Sequence, residues 1–103
     1  MWVLAQGATF IVDLELYEAV RVAGAVQRLR IDPGEGVLNV VVSDGTGCVS
    51  ARWSITRPTP QLTLVPPRRV ALEGIVVRGS TGDLVLPEPR FETFASDRLV
   101  RNP

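Results

Sequence analysis

Apolar and polar residues alternate on both sides of a short polar turn near the middle of the chain, where Asp44-Gly45-Thr46-Gly47 joins two runs rich in β-branched residues. This pattern predicts a β-hairpin over residues 37–53. Its apolar face would carry Leu38, Val40 and Val42 from one strand and Val49, Ala51 and Trp53 from the next. Its mixed face would carry Asn39, Val41 and Ser43, then Cys48, Ser50 and Arg52.

The same alternation predicts five strands, near residues 19–31, 37–43, 48–55, 70–78 and 84–94. Gly24 and Gly74 occupy equivalent places in the first and fourth strands, which share the spacing V-x-apolar-x-G-x-V-x-R. A glycine inside a strand is typical of a sharp bend or of close backbone approach, so we expect these two strands to bend and to pair with each other. Pro87 and Pro89 interrupt the fifth strand, which predicts an edge or a bulge there.

The remaining segments divide the chain into a lead-in, residues 1–18, a barrel, residues 19–94, and a tail, residues 95–103. In the lead-in, Phe10, Val12, Leu14 and Leu16 alternate with Ile11, Asp13, Glu15 and Tyr17, which favours an extended segment packed on the barrel base over one and a half helical turns. Four prolines in residues 56–69 predict an ordered but irregular connection.

Composition limits the chemistry. The chain has 103 residues, enough for one domain with one core, and no apolar run approaches the length of a membrane span. We therefore expect a soluble, cytoplasmic protein that does not bind a membrane. Cys48 is the single cysteine and histidine is absent, so the sequence predicts no disulfide, metal or cofactor.

Catalysis is not expected, because the sequence shows no nucleophile beside a base and no pair of carboxylates set apart by their surroundings. Asp44 is predicted to be structural, with its carboxylate accepting backbone N–H bonds across the turn. Eleven arginines balance eleven acidic residues, so the net charge is zero and a strong, sequence-blind polyanion binder is not indicated.

Several motifs in order resemble the OB-fold: V-R-V-x-G-x-V, then V-x-D-G-T-G-x-V-x-x-x-W, then V-x-L-x-G-x-V, then L-V-L-P-x-P-R-F. The resemblance covers residues 12–94 and is greatest to the small stand-alone OB-fold proteins of high-GC bacteria. The D-G-T-G-x-V piece also resembles the middle subunit of eukaryotic replication protein A. The resemblance to the OB-fold implies an all-β, five-stranded Greek-key barrel.

The resemblance also implies binding of single-stranded DNA or RNA on the mixed face of the hairpin and its flanking loops. The candidate nucleic-acid-binding residues are Arg28, Arg30, Asn39, Ser50, Arg52 and Arg78. Trp53 shares the side of Val49 and Ala51, so we predict that it packs in the core instead of stacking on a base. For Phe91 both roles stay open, and covering the barrel floor is favoured.

A second function is also compatible with the sequence. The mixed face has no aromatic residue for base stacking, and Val41, Ile75 and Val77 are expected to point outward. These features suggest a docking module that binds a protein partner in a nucleic-acid-processing complex, or a second copy of the chain.

Overall fold

The computed structural model describes residues 6–55 and 69–94, and every extended element in them belongs to one mixed β-sheet. The elements are a 3-10 turn at Ile11–Asp13, β1 (Ala19–Asp32), β2 (Val37–Ser43), β3 (Cys48–Ser54), β4 (Arg69–Ile75), β5 (Val77–Arg78), β6 (Leu84–Pro87) and β7 (Arg90–Phe94). The strand order is β5-β6-β3-β2-β1-β4-β7, and β3 pairs with β6 in parallel. The predicted all-β class is confirmed.

Seven strands replace the predicted five because the fourth and the fifth are each divided. Val76 is fully buried and separates β4, which pairs with β1, from β5, which pairs with β6. Glu88, with a φ of 49°, and Pro89 separate β6 from β7, so the two prolines do interrupt the fifth strand. The strand order ends at β5 and β7, and closure of the sheet into a barrel stays a prediction.

β1 is the longest strand and links the two halves of the sheet. Its first half pairs with β4, with Val22 opposite Leu72, and its second half pairs with β2, with Leu29 opposite Val40. The predicted pairing of the first and fourth strands is confirmed. The change of partner occurs beside Gly24, where a β-carbon would lie 2.3 Å from the carbonyl oxygen of Ser43. Glycine is therefore required there by the close approach of β2.

The apolar face of the predicted hairpin is the centre of the core. All six predicted side chains are buried, and Trp53 has 6% of its surface exposed. The Trp53 Nε1–H donates a hydrogen bond to the Pro89 carbonyl oxygen (3.1 Å), and the Phe91 ring contacts the indole edge-to-face with centroids 5.8 Å apart. The core role predicted for Trp53 is confirmed. Phe91 is partly exposed and covers one edge of the indole.

The alternation predicted for the lead-in is wrong at Ile11 and Val12, although Phe10 and Leu14 pack against the core as expected. Ile11 is buried in the core, whereas Val12 is 67% exposed, and Ile11–Asp13 forms a 3-10 turn rather than a strand. The cause lies in the β2–β3 turn, because Asp44 accepts a hydrogen bond from the Ile11 N–H and Gly47 leaves room for the Ile11 side chain. The predictions for the connection at 56–68 and for the tail at 95–103 lie outside the described residues, and the three-part division of the chain stays a prediction.

Candidate functional site

Three of the predicted site residues lie side by side on the outer face of the sheet. Asn39 of β2 is directly opposite Arg30 of β1 and directly opposite Arg52 of β3. Residues paired in this way have β-carbons about 4.5–5.5 Å apart and project from the same face. We call Arg30, Asn39 and Arg52 the arginine row.

Two further predicted site residues lie in the next row along the strands. Arg28 is opposite Val41, and Val41 is opposite Ser50. Arg28 reaches this position because a bulge between Val26 and Arg28 shifts the register of β1 against β2. Arg28 is exposed, but Ser50 has only 9% of its surface exposed, so its hydroxyl offers little surface to a ligand.

Arg78 lies apart from these two rows. Arg78 pairs with Leu84, whose side chain packs against the core. Paired residues project from the same face and neighbours along a strand from opposite faces, so Arg78 projects from the face opposite to that of Val77. Its Nη1 donates a hydrogen bond to the carbonyl oxygen of Gly82 (2.8 Å). This contact stabilises the turn that follows β5.

A shallow cavity of about 170 Å³ opens beside the arginine row. Its lining residues are Arg30, Asp32, Glu35, Val37, Asn39 and Arg52. Asp32 is committed to the β1–β2 turn, since its Oδ1 accepts hydrogen bonds from the backbone N–H groups of Gly34 (3.1 Å) and Glu35 (3.2 Å).

The two guanidinium groups of the row are available for a ligand. Within residues 6–55 and 69–94, neither the Arg30 nor the Arg52 side chain makes a hydrogen bond or an ion pair. The charge of Arg52 still acts at a distance on Asp83. The Thr81 hydroxyl, which donates to Asp83 Oδ1 (2.6 Å), is the main cause that lowers the pKa of Asp83, and the positive charge of Arg52 lowers it further.

Asn39 has a property that the sequence did not reveal. Its Oδ1 atom is buried and has no hydrogen-bond partner in the described part of the chain. Most buried polar atoms in proteins are hydrogen-bonded, and an orphaned one calls for an explanation. The only signal in the sequence was an asparagine between valines of a strand.

Asp44 has the structural role predicted for it. Its Oδ1 accepts hydrogen bonds from the Thr46 N–H (2.9 Å) and hydroxyl (2.6 Å), and its Oδ2 accepts one from the Ile11 N–H (2.7 Å). Partial burial alone would raise the pKa of Asp44, but the hydrogen bonds from Thr46 and Ile11 outweigh it and hold that pKa below its ordinary value.

A charged cluster that sequence reasoning missed lies on the outer face of the other half of the sheet. Arg21 contacts Glu73 (3.2 Å) and Glu92 (2.9 Å), and Arg90 contacts Glu73 (3.1 Å). The hydrogen bond that Arg21 donates to Glu92, offset in part by burial and reinforced by Glu73, raises the pKa of Arg21. These pairs neutralise one another, so this half of the sheet presents less free positive charge than the arginine row.

The described residues show neither a metal-binding cluster nor a helix that could span a membrane. No group of three or more cysteine and acidic side chains in them is placed to hold a metal ion. None of their helical turns is long and apolar enough to cross a membrane.

Comparison with solved structures identifies the architecture. An OBody, AM1L10, bound to hen egg-white lysozyme superposes with a TM-score of 0.65 at 25% identity, over 85% of this chain and 93% of that one. The chain has an OB-fold-like structure. No family model matches it, and no curated protein matches it.

Two matches to parts of much larger proteins support the same fold. RecG bound to a three-way DNA junction superposes with a TM-score of 0.64 at 20% identity, over 86% of this chain and 12% of RecG. An aspartyl-tRNA synthetase from Leishmania major Friedlin superposes with a TM-score of 0.58 at 18% identity, over 81% of this chain and 19% of the synthetase. At these identities the likeness concerns the fold alone.

Proposed function

We propose that this protein is a binding module for single-stranded nucleic acid and not an enzyme. We further propose that it acts in the cytoplasm and that its sheet closes as an OB barrel. The observation that carries the proposal is the arginine row, where two unpaired guanidinium groups flank an amide on one open face. Arginine side chains bind phosphate oxygens, and an amide is able to contact a base edge.

The comparisons support this choice of ligand. RecG was solved on a DNA junction, and the synthetase is named for a tRNA substrate. Both contain a segment that superposes on most of this chain.

The expected binding is weak and falls moderately as the salt concentration rises. The outward residues of β2 and β3 include no aromatic side chain, so the module lacks base stacking, which contributes about 1–3 kcal/mol per base in other single-strand binders. If Arg28, Arg30 and Arg52 each neutralise one phosphate, the logarithm of the affinity should fall against the logarithm of salt concentration with a slope of about −2.

Fluorescence anisotropy with labelled single-stranded DNA and RNA at low salt tests the proposal. Arg52→Ala should weaken binding and make the salt slope less steep by about 0.7. Arg90→Ala is the matched control, because it removes the same charge from the other half of the sheet and should change the affinity little. Absence of binding to any oligonucleotide, or equal effects of the two variants, would contradict the proposal.

Protein docking is the second candidate function. It is favoured by two half-buried valines, Val41 and Val77. They lie at the two ends of a row across the sheet whose central members, Ser50 and Val85, are buried. The similar OBody is bound to a protein, lysozyme. Ile75 lies beside Ala19 at the end of β4 and does not extend this row.

Light scattering and a surface variant separate the two candidates. A stable dimer that ignores oligonucleotides and is split by Val41→Glu, without loss of folding, would favour docking between copies of this chain. A monomer at high concentration that binds oligonucleotides would favour the nucleic-acid function.

A further inference from the structure

The amide of Asn39 is out of keeping with its position in β2. The neighbouring residues on the same face of that strand are Val37 and Val41, and asparagine is depleted in strands, whereas valine is favoured. The buried Oδ1 has no partner in the described residues, so no hydrogen bond offsets the free-energy cost of burying this atom. Residues that break a local rule without a structural gain are expected at functional or strained positions.

We infer that Asn39 is the residue of the arginine row that contacts a nucleobase, while Arg30 and Arg52 hold the phosphates on either side. This inference rests on the proposed binding of single-stranded nucleic acid. It assigns the base contact to Asn39, separately from the phosphate contacts of the two arginines. Oδ1 is a hydrogen-bond acceptor and needs a donor. An ionised phosphate has none, and a DNA backbone lacks the 2′-hydroxyl, whereas every base carries an N–H donor on its edge.

A base reaches this atom after a movement of neighbouring side chains. Because Oδ1 is buried, side chains next to Asn39 must shift before a base contacts it. The residues directly opposite Asn39 are Arg30 and Arg52, whose long side chains have no partners among residues 6–55 and 69–94. Phosphate contacts of these guanidinium groups hold the strand beside Asn39, where a base is able to reach the amide.

Asn39→Val tests the inference with two independent measurements. The valine matches its neighbours and removes the orphaned oxygen, so the thermal midpoint without ligand should rise by about 4 °C or more. Anisotropy should then compare a DNA of about 12 nucleotides with an abasic DNA of the same length. Affinity for the base-containing strand should fall about tenfold, and affinity for the abasic strand should stay unchanged.

Two variants serve as controls. Val41→Thr changes the next position on the same face of β2 and should leave the ratio of the two affinities unchanged. Arg52→Ala should weaken binding to both strands by similar factors, because it removes a phosphate contact.

The possible failures are distinguishable. If the natural protein binds the base-containing strand and Asn39→Val leaves that affinity unchanged, or lowers both affinities equally, this inference is wrong and the proposed function survives. A lowered thermal midpoint would also overturn it, since Asn39 would then stabilise the sheet. If the natural protein binds no oligonucleotide, both this inference and the proposed function are wrong.

Discussion

Asp44 Oδ2 accepts a hydrogen bond of 2.7 Å from the backbone N–H of Ile11, 33 residues earlier in the chain. The other oxygen of the same carboxylate accepts two bonds from Thr46 within the β2–β3 turn. One side chain therefore shapes the hairpin turn and also attaches the lead-in to it. The Ile11 side chain, which is 2% exposed, completes the core at this point.

Asp44→Ala should destabilise the fold. The substitution removes the acceptor of all three hydrogen bonds and leaves a partly buried N–H of Ile11 without a partner, which should lower the free energy of unfolding by about 1–3 kcal/mol. Urea denaturation followed by circular dichroism measures the change. Asp13→Ala, in the same 3-10 turn but with an exposed side chain, is the control and should have little effect. Equal effects of the two variants would argue against the role of Asp44.

The pH dependence of stability gives a separate prediction for Asp44. Its pKa in the folded protein is below its ordinary value, so the unfolded chain binds the proton more readily. The stabilisation is therefore complete above the ordinary pKa of about 4 and is lost as the pH falls through the lower folded pKa. The difference in unfolding free energy between the natural protein and Asp44→Asn should be constant from about pH 7 to 5 and shrink in stronger acid. A difference that grows in acid would contradict this.

The hairpin and its faces were predictable because a strand repeats every two residues. That period alone placed Trp53 in the core and Asn39 and Arg52 together on the outer face. The register between neighbouring strands was not predictable in the same way. The bulge between Val26 and Arg28 decides which residue of β2 faces Arg28, and no local residue pattern specified it.

The parts that sequence reasoning missed depend on contacts between distant segments. Ile11 is buried because of Asp44 and Gly47, which lie far along the chain, and its own neighbours gave the opposite prediction. The pairs formed by Arg21 needed the exact register of β1 against β4. The orphaned oxygen of Asn39 is a property of packing and has no sequence signature beyond a polar residue in an apolar strand.

Arg21 and Arg90 should contribute unequally to stability although both contact Glu73. Arg21 contacts two carboxylates, and its Nε donates to the carbonyl oxygen of Gln6 (2.6 Å), whereas the Arg90 side chain is 87% exposed. Arg21→Ala should lower the free energy of unfolding by about 1–2 kcal/mol, and Arg90→Ala by less than about 0.5 kcal/mol. Denaturation at low and high salt measures both, and a larger effect for Arg90 would contradict the assignment.

Gly24 and Gly74, which share a sequence pattern, should respond differently to alanine. At Gly24 the new β-carbon would lie 2.3 Å from the Ser43 carbonyl oxygen, a backbone atom that moves only if β2 shifts away from β1. At Gly74 the nearest atoms would be 3.5 Å away, an ordinary contact distance, and the backbone does not have a positive φ. Gly24→Ala should therefore cost about 3 kcal/mol or more in unfolding free energy, or prevent folding.

Gly74→Ala is the matched control, and its effect should stay within about 1 kcal/mol of zero, because the substitution fits the space and reduces the entropy of the unfolded chain. Expression level, circular dichroism and urea denaturation of the two variants give the comparison. If both glycines tolerate alanine, β1 and β2 are not in the close contact described for Gly24. If both substitutions prevent folding, the two glycines have the same role, and the difference argued from their surroundings is wrong.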